Sequence, residues 1–220
     1  MADDLTGAAD SALGFVRAGQ RVLVRLAPCG EKPPGAHAVI AVDTNTRRLD
    51  PQAAKQVVVE SFREHATSNQ LLYKKIDSTL RGQWAAEVAA LQAQVGMAIV
   101  APAHPSMGRV VQEGRVLVHG VQLAETDTWN LEHGHRSAVI RDQLLEMGLL
   151  PDYVDADGWL GKPEALSHYL DELARTGTSS VIVDARSIAA LRDLARAVLM
   201  CRQPMFCAGS GGAGAGTVRP

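Results

Sequence analysis

Short apolar runs alternate with stretches of helical spacing along most of this chain, and that alternation constrains its fold more than any other feature. Arg21–Leu26, Ala38–Val42, Gln70–Ile76, Met97–Ala101 and Ser179–Val183 read as strands, each short, aliphatic and bounded by polar residues. Gly7–Ala18, Pro51–Ala66, Gln83–Val95, Ser137–Gly148, Pro163–Thr176 and Ile188–Met200 carry apolar residues at helical spacing. Asp50 before Pro51 is a good N-cap and first-turn pair, and Ser187 is placed to cap the last helix. Strands alternating with helices of this length predict an α/β fold with a mostly parallel sheet flanked by helices. Arg109–Thr126 breaks the pattern with period-two stretches and glycines at 114 and 120, which predicts a small β-hairpin insertion.

With 220 residues and 46% hydrophobic content the chain can bury a sizeable core. A net charge of −2 and 4% aromatic residues argue against nucleic acid or a membrane surface as partner. No run of apolar residues is long enough to span a bilayer. Cys29, Cys201 and Cys207 are odd in number and form no CxxC pair, which fits a reducing cytoplasm better than a disulfide framework. The Gly-rich stretch Gly209–Gly216 divides the chain into an α/β domain at 1–208 and a tail at 209–220.

In a parallel sheet, ligands bind beyond the carboxyl ends of the strands. Here those ends lead into Asp43-Thr44-Asn45-Thr46-Arg47-Arg48, Asp77-Ser78-Thr79-Leu80-Arg81-Gly82 and Pro102 to Arg109, three polar loops on one sheet edge. In the second loop Ser78 or Thr79 can cap the helix that follows, and the free N–H groups of a helix start favour an anion. Arg81 can fork two hydrogen bonds onto a carboxylate or phosphate, and Asp77 can accept from hydroxyls. The set suits a ligand with an anionic end and several hydroxyls; the plainer alternative is a capped helix with a surface arginine. Asp3 and Asp4 precede a helix that Thr6 can cap, with Gly7 allowing close backbone approach. Two adjacent carboxylates exceed what capping needs, and they suit a hydroxyl acceptor and a base or metal contact. Arg47 and Arg48 offer an anion contact or a solvated face. His104 lies between two prolines as a ligand contact or a packing piece. His133 and His135 lack a third metal ligand, and Ser210 lies in a GSGG stretch that is not a phosphate-loop motif.

ADDLTGAAD, KKIDSTLRG and APAHPSMGR, in this order and spacing, resemble the four-carbon acid sugar kinases. That family, once grouped by unknown function, includes threonate, erythronate and 3-oxo-tetronate kinases. The resemblance runs from Ala2 to about Gly212. It implies a sugar-acid-binding domain as one part of an enzyme that uses ATP and Mg²⁺ to phosphorylate the terminal hydroxyl of the acid. It implies substrate contacts from Asp3, Asp4, Arg47 (with Arg48 as the alternative), Asp77, Ser78, Thr79, Leu80 and Arg81; Asp4 of the first loop is the candidate catalytic base, with the nucleotide-binding half as the other source. Two departures bear on this. The family has an apolar strand before ADDLTG where this chain has Met1, and its Gly-rich nucleotide-binding half would begin near Gly209. This polypeptide is therefore expected to hold little of the ATP site. A small-molecule sugar acid is the expected partner, with a homo-oligomer left open. The alternatives are a non-catalytic sugar-acid-binding module and a shortened product without a stable fold.

Overall fold

A computed structural model describes residues 1–27, 39–67, 70–133 and 136–211. Helix α1 spans Leu5–Arg17 and leads into strand β1, Val22–Leu26, which pairs in parallel with β2, Val39–Asp43. Helix α2 (Pro51–His65), strand β3 (Tyr73–Lys75), helix α3 (Trp84–Val95) and strand β4 (Met97–Ala101) follow. A small meander comes next: β5 (Arg109–Gln112), β6 (Arg115–Val118) and β7 (Val121–Gln122). Helices α4 (Asp127–His133) and α5 (Ile140–Glu146) lead to β8 (Pro151–Asp155). The chain closes with α6 (Pro163–Arg175), β9 (Ser180–Asp184), α7 (Ile188–Met200) and β10 (Met205–Gly209).

Five strands form a parallel sheet in the order β3-β10-β4-β9-β8. The β1-β2 pair is joined to it by one residue. Ala2 bridges in parallel to Asp43 on one side and to Lys75 on the other. The order of connections places α2 and α3 on one face and α6 and α7 on the other, by the right-handedness of parallel crossovers. Both pairs pack together as that rule requires. β4 and β9 are buried at every position, as central strands covered on both faces must be. Trp84, Leu91, Ile99, Leu170 and Phe206 lie in the core between the layers.

The predicted α/β class holds. Several details do not. The strand expected over Gln70–Ile76 shortens to three residues, Tyr73–Lys75, which pair with Cys207–Gly209. Ala38, expected to open the second strand, is outside the described residues, as are Cys29, His135 and residues 212–220 of the tail. The insertion is three-stranded, and its turns place Glu113-Gly114 and His119-Gly120 at positive φ. β8 and β10 had no counterpart among the expected strands. Between β2 and β3, where Met1 and Ala2 reach only part-way along the sheet, lies a cavity of about 430 Å³. Ala12 and Phe15 of α1 line it together with Phe62, Leu72 and Phe206. Among the described residues no helix is long and apolar enough to cross a membrane.

Candidate functional site

The loops after β2 and β3 meet the start of α1 at the carboxyl edge of the sheet. Thr46 and Arg47 each donate a backbone N–H to the Asp3 carbonyl, at 3.1 and 3.3 Å. The Arg47 side chain then grips Asp3 with two hydrogen bonds, Nε to Oδ2 at 2.8 Å and Nη2 to Oδ1 at 3.1 Å. Its Nη1 lies 2.6 Å from Asp4 Oδ2, and Nη2 is 3.6 Å from Asp77 Oδ2. Arg81 Nη2 donates to the same Asp77 oxygen at 2.7 Å. Asp3, Asp4, Arg47, Asp77 and Arg81 are thus one charged cluster, while Arg48 stays exposed away from it.

Burial by itself would raise the pKa of Asp77, but hydrogen bonds from Arg81 and Thr79 outweigh it and hold the carboxyl far below its usual range. Burial likewise pulls on Arg47, and the three aspartates more than restore it, so its pKa is raised. Asp77 and Arg47 are therefore held in their charged forms.

The caps differ from the sequence reading. Asp4, not Thr6, caps α1, its Oδ1 accepting from Gly7 N at 2.6 Å. Gly7 is needed there, since a Cβ would lie 2.8 Å from Asp4 Oδ1. Ser78 and Thr79 do not cap α3, which begins at Trp84 after Gln83 without a side-chain cap. The loop closes on itself instead: Asp77 Oδ1 accepts from Thr79 N and Thr79 Oγ1, and Leu80 N donates to Asp77 O. Leu80 takes φ +58° and buries its side chain in the core, so it can offer a ligand only its backbone. Gly82, at φ +76°, lets Asp3 approach: a Cβ there would lie 2.8 Å from Asp3 Oδ2.

Several residues at the edge escaped the sequence reading. Glu87 and Lys74 are fully buried and paired at 2.9 Å beneath the loops, and Thr46 Oγ1 donates to Glu87. Thr44 Oγ1 donates to the Ala2 carbonyl at 2.8 Å. A glutamate inside a helical pattern carries no local signal of such a role. Lys75 and Arg109 also reach the edge; both lie in the quoted motifs, and the alternation of β3 puts Lys75 on the Asp77 face. Ser210 is buried, with Oγ donating to Ala103 O at 2.7 Å, a bond that ties the end of β10 to that of β4. Among the described residues no group of His, Cys, Asp and Glu could hold a metal ion. Each carboxylate of the cluster is already bound to an arginine, so this donor set does not fit Mg²⁺.

A family model described as a sugar-binding N-terminal domain matches residues 1–217. A D-threonate kinase of Cupriavidus necator is 40% identical over 214 residues, covering 96% of this chain and 51% of that protein. A 3-oxo-tetronate kinase of Methylobacterium radiotolerans is 30% identical and matches 100% of this chain and 53% of its own length. The chain spans about half the length of these curated relatives. Among solved structures, a domain of unknown function from Bordetella bronchiseptica superposes with a TM-score of 0.80 at 34% identity, covering 98% of this chain and 55% of its own. That protein was crystallised as a domain-swapped dimer with bound citrate.

Proposed function

This chain belongs to the four-carbon acid sugar kinases, matching their sugar-binding N-terminal domain, and from that premise we propose that it binds a four-carbon sugar acid for phosphorylation at the terminal hydroxyl. The acid is threonate, erythronate or 3-oxo-tetronate. The observation that carries this reading is the cluster in which Arg47 joins Asp3, Asp4 and Asp77 while Arg81 reaches in from the next loop. Carboxylates held in place accept hydrogen bonds from sugar hydroxyls, and Asp77, bound by Arg81, stays ionised to do so. Arg81, about one-third exposed, is the guanidinium placed to take the carboxylate of the ligand. Citrate in the Bordetella bronchiseptica relative, a hydroxylated polycarboxylate, supports a site of this chemistry.

In the complete reaction the terminal hydroxyl oxygen forms a bond to the γ-phosphorus of ATP, the bond from that phosphorus to the ADP oxygen breaks, and the hydroxyl proton leaves. Asp4 is the candidate acceptor of that proton, since its side chain is 29% exposed whereas that of Asp3 is 4%. ATP and Mg²⁺ would be held largely outside residues 1–208, with catalysis resting on positioning and charge. The thiols of Cys201 and Cys207 are free, and burial pushes their pKa up to about 12, so neither is a ready nucleophile. The domain-swapped relative makes a homo-oligomer worth testing by sedimentation.

Calorimetric titration with the three acids tests the proposal. One of them should bind with a dissociation constant of about 1 mM or tighter, and no binding by any would overturn it.

A further inference from the structure

Two cations at the carboxyl edge are left over once the acid cluster is assembled. Lys75 and Arg109 make no ion pair with any described residue, whereas Arg47 and Arg81 are engaged by Asp3, Asp4 and Asp77. Lys75 shares the Asp77 face of β3, and its stem passes beside Gly7. Its Nζ donates only to the Ile76 carbonyl, at 3.2 Å. Arg109 opens β5 and donates from Nη1 to Ser78 Oγ, while its buried Nε finds no hydrogen-bond partner. His104, just after β4, lies close enough to Lys75, Arg109 and Asp10 for each to act on its charge. Its Nδ1 meets Ser106 Oγ at 3.1 Å, and its Nε2 faces Gly211, where any side chain would collide with Asp10. Asp77, then Asp10, Asp3 and Asp4, act on Lys75 from beyond ion-pair distance, and Asp10, exposed on α1, acts on His104 as well.

Partly buried cations with no carboxylate in direct contact retain donors that a ligand can fill. One ammonium, one guanidinium and one hydroxyl offer two positive charges and donors in several directions. A carboxylate needs only one planar fork; a tetrahedral dianion uses all three groups. Ser78 belongs to the same loop as Arg81, so this cation pair adjoins the proposed acid site.

We infer that Lys75, Arg109 and Ser78 form a subsite for a phosphate monoester, with His104 at its rim, which receives the phosphorylated end of the sugar acid. The inference rests on the sugar-acid reading. It assigns this domain a part in holding the phosphoryl group as well as the acid.

The test is a pair of titrations of this chain, one with the four-carbon acid that binds and one with the same acid phosphorylated on its terminal hydroxyl. The phosphorylated acid should bind at least about tenfold more tightly, the increment expected of charge-assisted contacts. Arg109→Ala and Lys75→Met should each remove most of that increment, the second keeping the apolar stem so that the fold is retained. Circular dichroism and melting temperature check folding. Parent and phosphorylated acids of equal affinity, or an increment that survives both substitutions, would overturn the subsite and leave the sugar-acid reading standing. If neither acid binds, the sugar-acid reading fails and this inference fails with it.

Discussion

Lys74 and Glu87 face each other at 2.9 Å with no exposed side-chain surface on either, one from β3 and the other from α3. The pair lies beneath the site loops, and Glu87 also receives the hydroxyl of Thr46, the residue before Arg47. A buried ion pair is poor evidence of stability in itself, but breaking one strands a charge. Glu87→Gln should therefore destabilise the domain by about 3–5 kcal/mol, read by urea denaturation. Replacing both partners with apolar residues, as in Lys74→Met with Glu87→Leu, should recover most of that loss and still weaken acid binding through Thr46. Single and double variants of equal stability would show that the pair is not coupled.

Arg81→Ala removes the guanidinium proposed for the ligand carboxylate, a group about one-third exposed that also pairs with Asp77. Acid affinity should fall at least about tenfold, equivalent to about 1.4 kcal/mol, while the circular-dichroism spectrum keeps its native form. Calorimetry reads the first and spectroscopy the second. Unchanged affinity would remove Arg81 from the site.

Acid should weaken the domain through Asp77. Its folded-state pKa lies below the ordinary value of 3.8, so the folded chain binds fewer protons than the unfolded one as pH drops toward and below that value. The stabilisation is fully present above about pH 4–5 and is lost progressively below it. Melting temperatures measured across that range should decline less steeply for Asp77→Asn than for the parent. Parallel profiles would show that Asp77 is not what titrates.

Gly82→Ala tests the closeness of Asp3. The substitution places a Cβ at φ +76° and 2.8 Å from Asp3 Oδ2, so both backbone strain and the Arg47–Asp3 contact are affected. A loss of about 1–2 kcal/mol is expected from the left-handed backbone alone, with acid affinity falling further as Asp3 moves. Thermal melts and titration of the same sample separate the two effects.

Ala12→Leu should act in the opposite direction. Ala12 lines the cavity between β2 and β3, and a larger aliphatic side chain there fills space without touching the charged cluster. Cavity filling of this kind commonly adds about 0.5–2 kcal/mol. A lower melting temperature would mean that the surrounding layers are packed too closely to accept it.

The alternation of apolar runs with helical stretches was enough to establish a parallel α/β fold, because side-chain period is a local property of the chain. From that, Arg47, Asp77 and Arg81 could be placed after strand ends on one edge, and the structure brings Asp3 to them within ion-pair distance. The roles inside the loops were less legible. Asp4 prevailed over Thr6 as the cap of α1, and Asp77 folded its loop onto Thr79 so that neither Ser78 nor Thr79 reached α3. Only tertiary structure could decide where β10 goes. Five residues near the end of the described chain enter the sheet between β3 and β4, and no periodicity records which strands a segment will pair with. The same holds for Glu87 beneath Thr46 and for Arg109 against Ser78, residues 41 and 31 positions apart. Such contacts arise when crossovers bring distant segments to one sheet edge, so their chemistry belongs to the fold and not to any stretch of sequence.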